Sequence, residues 1–138
     1  MVLRLWRKLQ RSPLQVKLPV GVSATIVDWA SSTMDLARSY DGAKGFPHWI
    51  MALSQTQARG RQGRSWLSAQ GAFAATLVMQ PNCPPAVAAQ RSFVAACALR
   101  RALATYVDPN LLAQKWPNDV LLQGGKIAGI LLESFGSG

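Results

Sequence analysis

The sequence predicts an α+β domain with a mixed or antiparallel sheet and flanking helices. Segments with the composition of β-strands outnumber the helical ones, and they follow one another mostly in series. Strands in series favour an α+β fold, whereas regular alternation with helices would favour a parallel α/β sheet. With 138 residues, of which 49% are apolar, the chain is long enough to form one domain around a hydrophobic core.

The first half of the predicted domain contains two strands and a short helix. Val20–Asp28 is apolar and β-branched, which indicates a strand. A helix begins next, because the Ser32 hydroxyl can cap its free amides and Asp35 can reach back as a short capping box. Gly42–Pro47 interrupts this pattern, and Trp49–Gln55 has the composition of a second strand.

The second half contains one long helix between strands. Gly71–Gln80 indicates a buried strand, and the prolines after it form a stiff connection. Ala86–Val107 has apolar residues at helical spacing without Gly or Pro, so it predicts one uninterrupted helix. Three short strands follow, the last two joined by a hairpin at Gly124-Gly125: Leu111–Trp116, Val120–Gln123 and Lys126–Ser134.

Composition restricts the classes of function. A net charge of +9 and a pI of about 10.6 suit acidic partners such as nucleotides, nucleic acid or anionic lipid, without choosing among them. No segment approaches the roughly 18 apolar residues of a membrane span. Cys83 and Cys97 lack C-x-x-C spacing and indicate thiols of a reducing, cytoplasmic compartment. The single histidine, His48, has no nearby Cys or His and is predicted to be structural.

The first 19 residues are predicted to form a basic leader ahead of a domain that spans residues 20–138. Met1–Lys17 contains five basic residues and no acid, and its apolar residues recur at helical spacing. This pattern favours a solvated N-terminal extension, while an organellar presequence and a membrane-surface helix remain open.

A basic loop with the sequence Arg-Gly-Arg-Gln-Gly-Arg occupies residues 59–64, and no acid lies near it in the sequence. Glycine lets a backbone approach a ligand closely and can leave amide N–H groups free for an anion. Arginine adds charged forks that match carboxylate and phosphate oxygens. The loop is therefore suited to binding an anion. A flexible basic segment that contacts nucleic acid would have the same sequence features.

A second cluster lies in the turn at residues 115–119. Pro117 restricts the backbone, so the turn between strands is predicted to be rigid. Lys115 can neutralise a phosphate, Asn118 can orient a polar group, and Asp119 can hold Mg²⁺ through oxygen ligands. An ordinary Asn-Asp turn without a function is the alternative.

Two weaker signals accompany these clusters. Lys126 enters an apolar strand whose interior contains Gly129, and glycine weakens a strand unless something approaches the backbone there. Ser32 and Thr33 stand at a helix start, where hydroxyls and free N–H groups can bind a small polar ligand. Alone, the first would indicate a solvated lysine and the second an ordinary helix cap.

Taken in chain order, the clusters strongly resemble biotin–protein ligases, from about Val20 to Phe135. The motifs are Ser-Thr-Met, then Gln55 ahead of Arg-Gly-Arg-Gln-Gly-Arg-Ser-Trp, then Lys-Trp-Pro-Asn-Asp-Val, then Gly-Lys-Ile-Ala-Gly-Ile-Leu-Leu-Glu. The resemblance implies an α+β catalytic domain related to class II aminoacyl-tRNA synthetases and lipoate ligases. It also implies activation of biotin with ATP and Mg²⁺ to biotinyl-5′-adenylate. Biotin is then transferred to a lysine of a biotin carboxyl carrier protein domain.

The resemblance assigns roles to individual residues. The positions that match biotin contacts are Ser32, Thr33, Gln55, Arg59, Gly60, Arg61 and Lys126. The positions that match nucleotide contacts are Arg64, Trp66, Lys115, Asn118 and Asp119, with Trp66 as a stacking face for adenine and Asp119 as an aid to Mg²⁺. Arg61 and Lys126 are the expected catalytic residues, since they add positive charge where the anionic groups meet.

The sequence departs from the family pattern at two places and leaves alternatives open. Ala58 stands where the family loop has a further glycine, and Met34 stands where a polar residue is common. The matched region is expected to be only the first part of a catalytic domain, so an inactive fragment is one alternative. A lipoate ligase and a basic RNA- or DNA-binding module are the others. The resemblance predicts no nucleic-acid or membrane partner and leaves a homodimer open.

Overall fold

The computed structural model describes residues 16–69 and 71–135. Most of the predicted leader, residues 1–15, therefore lies outside the described residues. Within them the chain forms two three-stranded sheets, and no described helix is long and apolar enough to cross a membrane.

The first sheet is mixed and has the strand order β1-β2-β3. Its strands are β1 (Ser23–Ala30), β2 (His48–Gln55) and β3 (Ala74–Val78). β1 runs parallel to β2, because helix α1 (Thr33–Arg38) and the segment after it carry the chain back across the sheet. β3 runs antiparallel to β2. The register places Ala30, the end of β1, beside Gln55, the end of β2.

Helix α1 packs on this sheet through a small core. Ala37 of the helix meets Ile50 and Val78 of the strands, and Tyr40 and Phe46 pack against the cluster. The helix begins as predicted at Ser32, whose Oγ accepts a hydrogen bond from Met34 N at 3.2 Å. The predicted capping box was wrong, because the Asp35 carboxylate pairs with Arg59 instead.

His48 is fully buried in the same sheet and is structural, as the sequence predicted. Its Nδ1 lies 2.6 Å from Ser23 Oγ, and its Nε2 lies 3.0 Å from Thr25 Oγ1. The ring stacks on Tyr40 with the ring centroids 4.4 Å apart. Burial, reinforced by the positive charge of Lys44, lowers the pKa of His48 below its usual value.

The second sheet is antiparallel, with the order β4-β5-β6. Its strands are β4 (Leu112–Lys115), β5 (Asp119–Leu122) and β6 (Gly125–Gly129). The β5–β6 hairpin turns at Gln123 and Gly124, both with positive φ, rather than at Gly124-Gly125. Two positive-φ residues in a two-residue loop match the right-handed twist of the strands.

Two predictions for this half need correction. The predicted long helix consists of α2 (Pro85–Ala88) and α3 (Arg91–Leu103), with a turn between them that no Gly or Pro in the sequence signals. α3 packs against β4 and β5. The last strand ends at Gly129 rather than at Ser134, because Ile130 N donates its hydrogen bond to Asn118 O, at 2.9 Å, outside the strand ladder. The α+β class with mixed and antiparallel sheets is confirmed.

Candidate functional site

A partly buried network of polar side chains surrounds the start of helix α1. Thr33 donates to Gln55 Oε1 through its backbone N, at 2.8 Å, and through Oγ1, at 3.2 Å. The Thr76 hydroxyl donates to Thr33 Oγ1 at 2.9 Å. Ser32 and Thr33 are both buried. Three elements, namely α1, β2 and β3, therefore meet at one set of hydrogen bonds.

This network determines which way the Gln55 amide faces. A backbone N–H only donates, so the atom opposite Thr33 N must be the amide oxygen. The Gln55 Nε2 group is thereby left as the outward donor, and it makes no hydrogen bond within residues 16–69 and 71–135. Thr76 was not among the site residues predicted from the sequence. A hydroxyl on a short apolar strand next to β2 was the signal that could have identified it.

The arginine–glycine loop, residues 59–64, is closed on itself by backbone hydrogen bonds. Gly60 N donates to Arg64 O at 2.7 Å, and Trp66 N donates to Ala58 O at 3.0 Å. A single helical turn at residues 61–63 includes two positive φ values, 59° at Gln62 and 69° at Gly63. The prediction that the loop amides stay free is therefore wrong for Gly60, whose N–H is used inside the loop.

The three arginines of this loop have different surroundings. Arg59 Nη2 lies 2.7 Å from Asp35 Oδ1 in an ion pair, and Arg59 Nε lies 3.8 Å from Glu133 Oε1. Arg61 and Arg64 are exposed, and Arg64 reaches only Gln62 Oε1, at 3.3 Å, within the described part of the chain. The guanidinium groups of Arg61 and Arg64 are therefore the ones that can meet an external anion.

The ion pairs of Arg59 shift two pKa values. The hydrogen bond from Arg59 lowers the pKa of the Asp35 carboxyl, and the charges of Arg59 and Arg38 act in the same direction. The same hydrogen bond raises the pKa of Arg59. Both groups are therefore charged at neutral pH.

Residues 115–119 form a locked turn next to β6. Asn118 Nδ2 donates to Ile130 O at 2.7 Å, and Ile130 N donates to Asn118 O at 2.9 Å. The Trp116–Pro117 peptide bond is cis. Lys115, Trp116, Pro117 and Asp119 line a cavity of about 190 Å³ whose other wall comes from β4 and from Phe93, Ala96 and Cys97 of α3. The turn thus presents Lys115 and Asp119 to one recess.

Asp119 and Lys126 face each other across the β5–β6 hairpin. Lys126 Nζ lies 2.8 Å from Asp119 Oδ1. This oxygen is buried and accepts no aligned hydrogen bond from the described residues, so the contact is a pairing of charges. The lysine stem covers Gly129, where an added Cβ would come within 3.0 Å of Lys126 Cε and Nζ. This close approach of the Lys126 side chain gives a physical reason for a glycine inside the strand.

Lys126 also connects two motifs that are distant from each other in the sequence. Its Nζ lies 4.8 Å from the centroid of the Trp66 ring, a cation–π distance. Trp66 follows the arginine–glycine loop, whereas Asp119 ends the locked turn. The structure therefore brings Trp66, Lys126 and Asp119 into one chain of contacts.

The donor set at Asp119 is suitable for Mg²⁺. A buried carboxylate oxygen without an aligned hydrogen bond is a hard ligand, and Mg²⁺ is commonly held by one or two carboxylates together with substrate phosphates. No group of three or more His, Cys, Asp or Glu side chains that could form a complete metal cage occurs among the described residues. Asp119 would thus act with phosphate oxygens and water.

Comparison with known proteins identifies the family. The sequence model of the Biotin/lipoate A/B protein ligase family matches residues 28–138, and the chain belongs to this family. It is 57% identical over 91 residues to the biotin–[acetyl-CoA-carboxylase] ligase of Paracoccus denitrificans, a match that covers 65% of this chain and 38% of that protein. It is 37% identical over 102 residues to the protein of the same name from Mycobacterium tuberculosis, covering 71% and 38%.

A solved structure shows the same fold. The biotin protein ligase of Leishmania major, in complex with biotinyl-5-AMP, superposes with a TM-score of 0.72 at 28% identity over 86% of this chain and 54% of that chain. This chain therefore spans about two fifths of the length of the two curated relatives and about half of the solved relative.

Proposed function

We propose that this chain carries the biotin-activating site of a biotin–[acetyl-CoA-carboxylase] ligase. The observation that supports this most directly is the contact chain from Trp66 through Lys126 to Asp119. It joins three motifs that are dispersed in the sequence, and it places an aromatic face, an ammonium group and a carboxylate beside one another. An aromatic face can stack a base, an ammonium group can offset anionic charge, and a carboxylate can hold Mg²⁺.

The first step joins two anions. A carboxylate oxygen of biotin attacks the α-phosphorus of ATP, the bond from that phosphorus to the bridging oxygen breaks, and pyrophosphate leaves with the electron pair. Repulsion between the reactants must be offset by fixed positive charge. Lys126 and Arg61 supply this charge as the proposed catalytic residues, and Arg61 is exposed and unpaired within the described part of the chain.

The biotin side of the site includes the polar network at helix α1. Gln55 offers its Nε2 as a donor, while its oxygen is held by Thr33. Ser32, beside Thr33, is buried and already caps the helix, so its contribution is to shape the wall. The loop adds Gly60 and Arg61 to the proposed biotin positions. Arg59, which the resemblance also assigns to biotin, is paired with Asp35, so its guanidinium group is not proposed to meet the carboxylate.

The nucleotide side includes the loop exit and the locked turn. The Trp66 ring offers a face for adenine once Lys126 moves off it, and Arg64 and Lys115 are exposed cations for phosphates. Asn118 is committed to Ile130 and keeps the turn in shape. Bound Mg²⁺ would be held by Asp119 and would neutralise phosphate charge.

In the second step the amine of a carrier lysine attacks the acyl carbon of biotinyl-5′-AMP, an amide bond forms, and AMP leaves. The acceptor in this proposal is a biotin carboxyl carrier protein domain. We assign the stretch from residue 20 onward to the first part of the catalytic domain and place the protein in the cytoplasm. Nucleic acid is not a partner in this scheme, and a homodimer is compatible with it.

The proposal is tested by ATP–pyrophosphate exchange with and without biotin. The assay is run on this chain and on a longer chain that adds the part of the relatives that it does not span. Biotin-dependent exchange in the longer chain is expected. Lipoate-dependent exchange, or salt-dependent oligonucleotide binding without any exchange, would replace the proposal with one of the alternatives.

A further inference from the structure

We propose that Asp35 and Glu133 are positioning residues that hold the arginine–glycine loop in place through Arg59. Neither carboxylate belongs to the proposed biotin or nucleotide contacts. The proposal deepens the proposed function and rests on it only for the effect on the adenylate. The ordering of the loop is a property of the chain itself.

The geometry sets Arg59 apart from the other arginines of the loop. Its side chain is only 25% exposed, and it bonds Asp35 at 2.7 Å while lying 3.8 Å from Glu133. To reach an external anion, Arg59 would have to break a short ion pair with Asp35. Arg61 and Arg64 would break no ion pair, since neither makes one within the described residues.

The charges around Arg59 cancel locally. Glu133 is shared, because its Oε2 also accepts from Arg38 Nη2 at 2.7 Å. Two arginines and two carboxylates therefore form a neutral cluster: Arg38, Arg59, Asp35 and Glu133. A neutral cluster adds little attraction for an anion, so the cluster contributes position rather than charge.

The cluster connects three elements that all contribute to the site. Asp35 lies in the first turn of α1, two residues after Thr33, whereas Glu133 lies beyond the end of β6. Arg59 begins the loop. The cluster therefore fixes the loop relative to both the helix start and the strand that carries Lys126.

Limited trypsin digestion tests the ordering without any enzyme assay. In the full chain, the paired change Asp35→Asn with Glu133→Gln should increase cleavage after Arg61 and Arg64 about three-fold or more. Asp28→Asn, at an exposed acid without an ion pair in the described residues, is the matched control. Cleavage after Arg91 and Arg101 on α3 should stay unchanged, which separates loop release from global unfolding.

A mutant cycle distinguishes positioning from direct anion contact. We compare Arg59→Gln alone, the Asp35→Asn/Glu133→Gln pair, and all three changes together, in the longer chain, by the rate of adenylate dissociation and by kcat and KM for biotin separately. If Arg59 acts through the two carboxylates, all three changes together release the adenylate no faster than the pair. A further increase of ten-fold or more on adding Arg59→Gln to the pair would overturn the proposal.

The trypsin digestion and the mutant cycle give different outcomes for the positioning role and for the proposed function. If the longer chain without substitutions shows no exchange, the proposed function fails. Trypsin digestion of this chain still decides whether the two carboxylates hold the loop. Unchanged cleavage after Arg61 and Arg64 in the paired variant would overturn the inference, even if the parent is an active ligase.

Discussion

Lys126 Nζ lies 2.8 Å from Asp119 Oδ1 and 4.8 Å from the centroid of Trp66. One ammonium group thus pairs with a partly buried carboxylate and lies over an aromatic face. In the proposed reaction the same three groups serve biotin, Mg²⁺ and adenine. The three groups must therefore release one another when the substrates bind. Substitutions at these positions are expected to change substrate binding more than the stability of the fold.

Lys126→Ala should reduce kcat/KM for biotin in the exchange assay by about a hundred-fold, the usual effect of removing one charge-stabilising donor. Lys126→Arg should retain more activity because it keeps the charge. Lys17→Ala, at an exposed lysine remote from these motifs in the sequence, is the control and should behave as the parent. Equal activity in Lys126→Ala and the parent would remove Lys126 from the catalytic residues.

Gly129→Ala should displace Lys126, because the new Cβ would lie 3.0 Å from its Cε and Nζ. The lysine end is flexible, so we expect a Tm close to that of the parent together with a KM for biotin raised several-fold. Gly125→Ala is the matched control in the same strand, since its Cβ would meet only Leu122 O at 3.4 Å. A KM that is the same in both variants would contradict this account.

Thr76→Val should weaken biotin binding, although the Thr76 side chain is not one of the proposed biotin contacts. The change keeps the shape of the side chain but removes the hydrogen bond to Thr33 Oγ1, which is worth about 1 kcal/mol, or roughly five-fold in affinity. Titration calorimetry with biotin measures the effect. Thr105→Val, at an exposed threonine that bonds only the local carbonyl of Ala102, is the control. Identical biotin affinities in the two variants would contradict a role for Thr76.

Stability should depend on pH through His48, the single histidine. Burial lowers its pKa in the folded state, so between the folded and unfolded pKa values the unfolded chain binds more protons. The free energy of unfolding should therefore fall as the pH is lowered from about 7.5 through the unfolded pKa of about 6.5, by at most about 1.4 kcal/mol per pH unit.

Urea denaturation at a series of pH values measures this dependence. His48→Gln should flatten the pH profile between pH 7.5 and 5, although its stability at neutral pH will be lower because the hydrogen bonds with Ser23 and Thr25 change. A parent profile that is flat over this range would show that His48 does not titrate as the structure indicates.

Local sequence signals identified most elements but not their ends. Periodicity and composition found every strand of both sheets, and Ser32 correctly marked the start of α1. The break between α2 and α3 was missed because no Gly or Pro lies there. The end of β6 was misplaced because Ile130 N donates its hydrogen bond to Asn118 O in the locked turn, and strand patterns in the sequence do not record such partners.

For the candidate site, too, the sequence predicted some features, whereas others depended on the tertiary structure. By itself the sequence determined which residue types could hold anions, carboxylates and a nucleotide, because the arginine–glycine loop and the locked turn are contiguous motifs. Only the tertiary structure decided which of these groups are available. Arg59 is neutralised by Asp35 and Glu133, Gly60 N–H is used within the loop, and Gln55 is oriented by Thr33. The physical reason is that charge pairing and hydrogen-bond direction depend on partners that the fold, and not the neighbouring sequence, supplies.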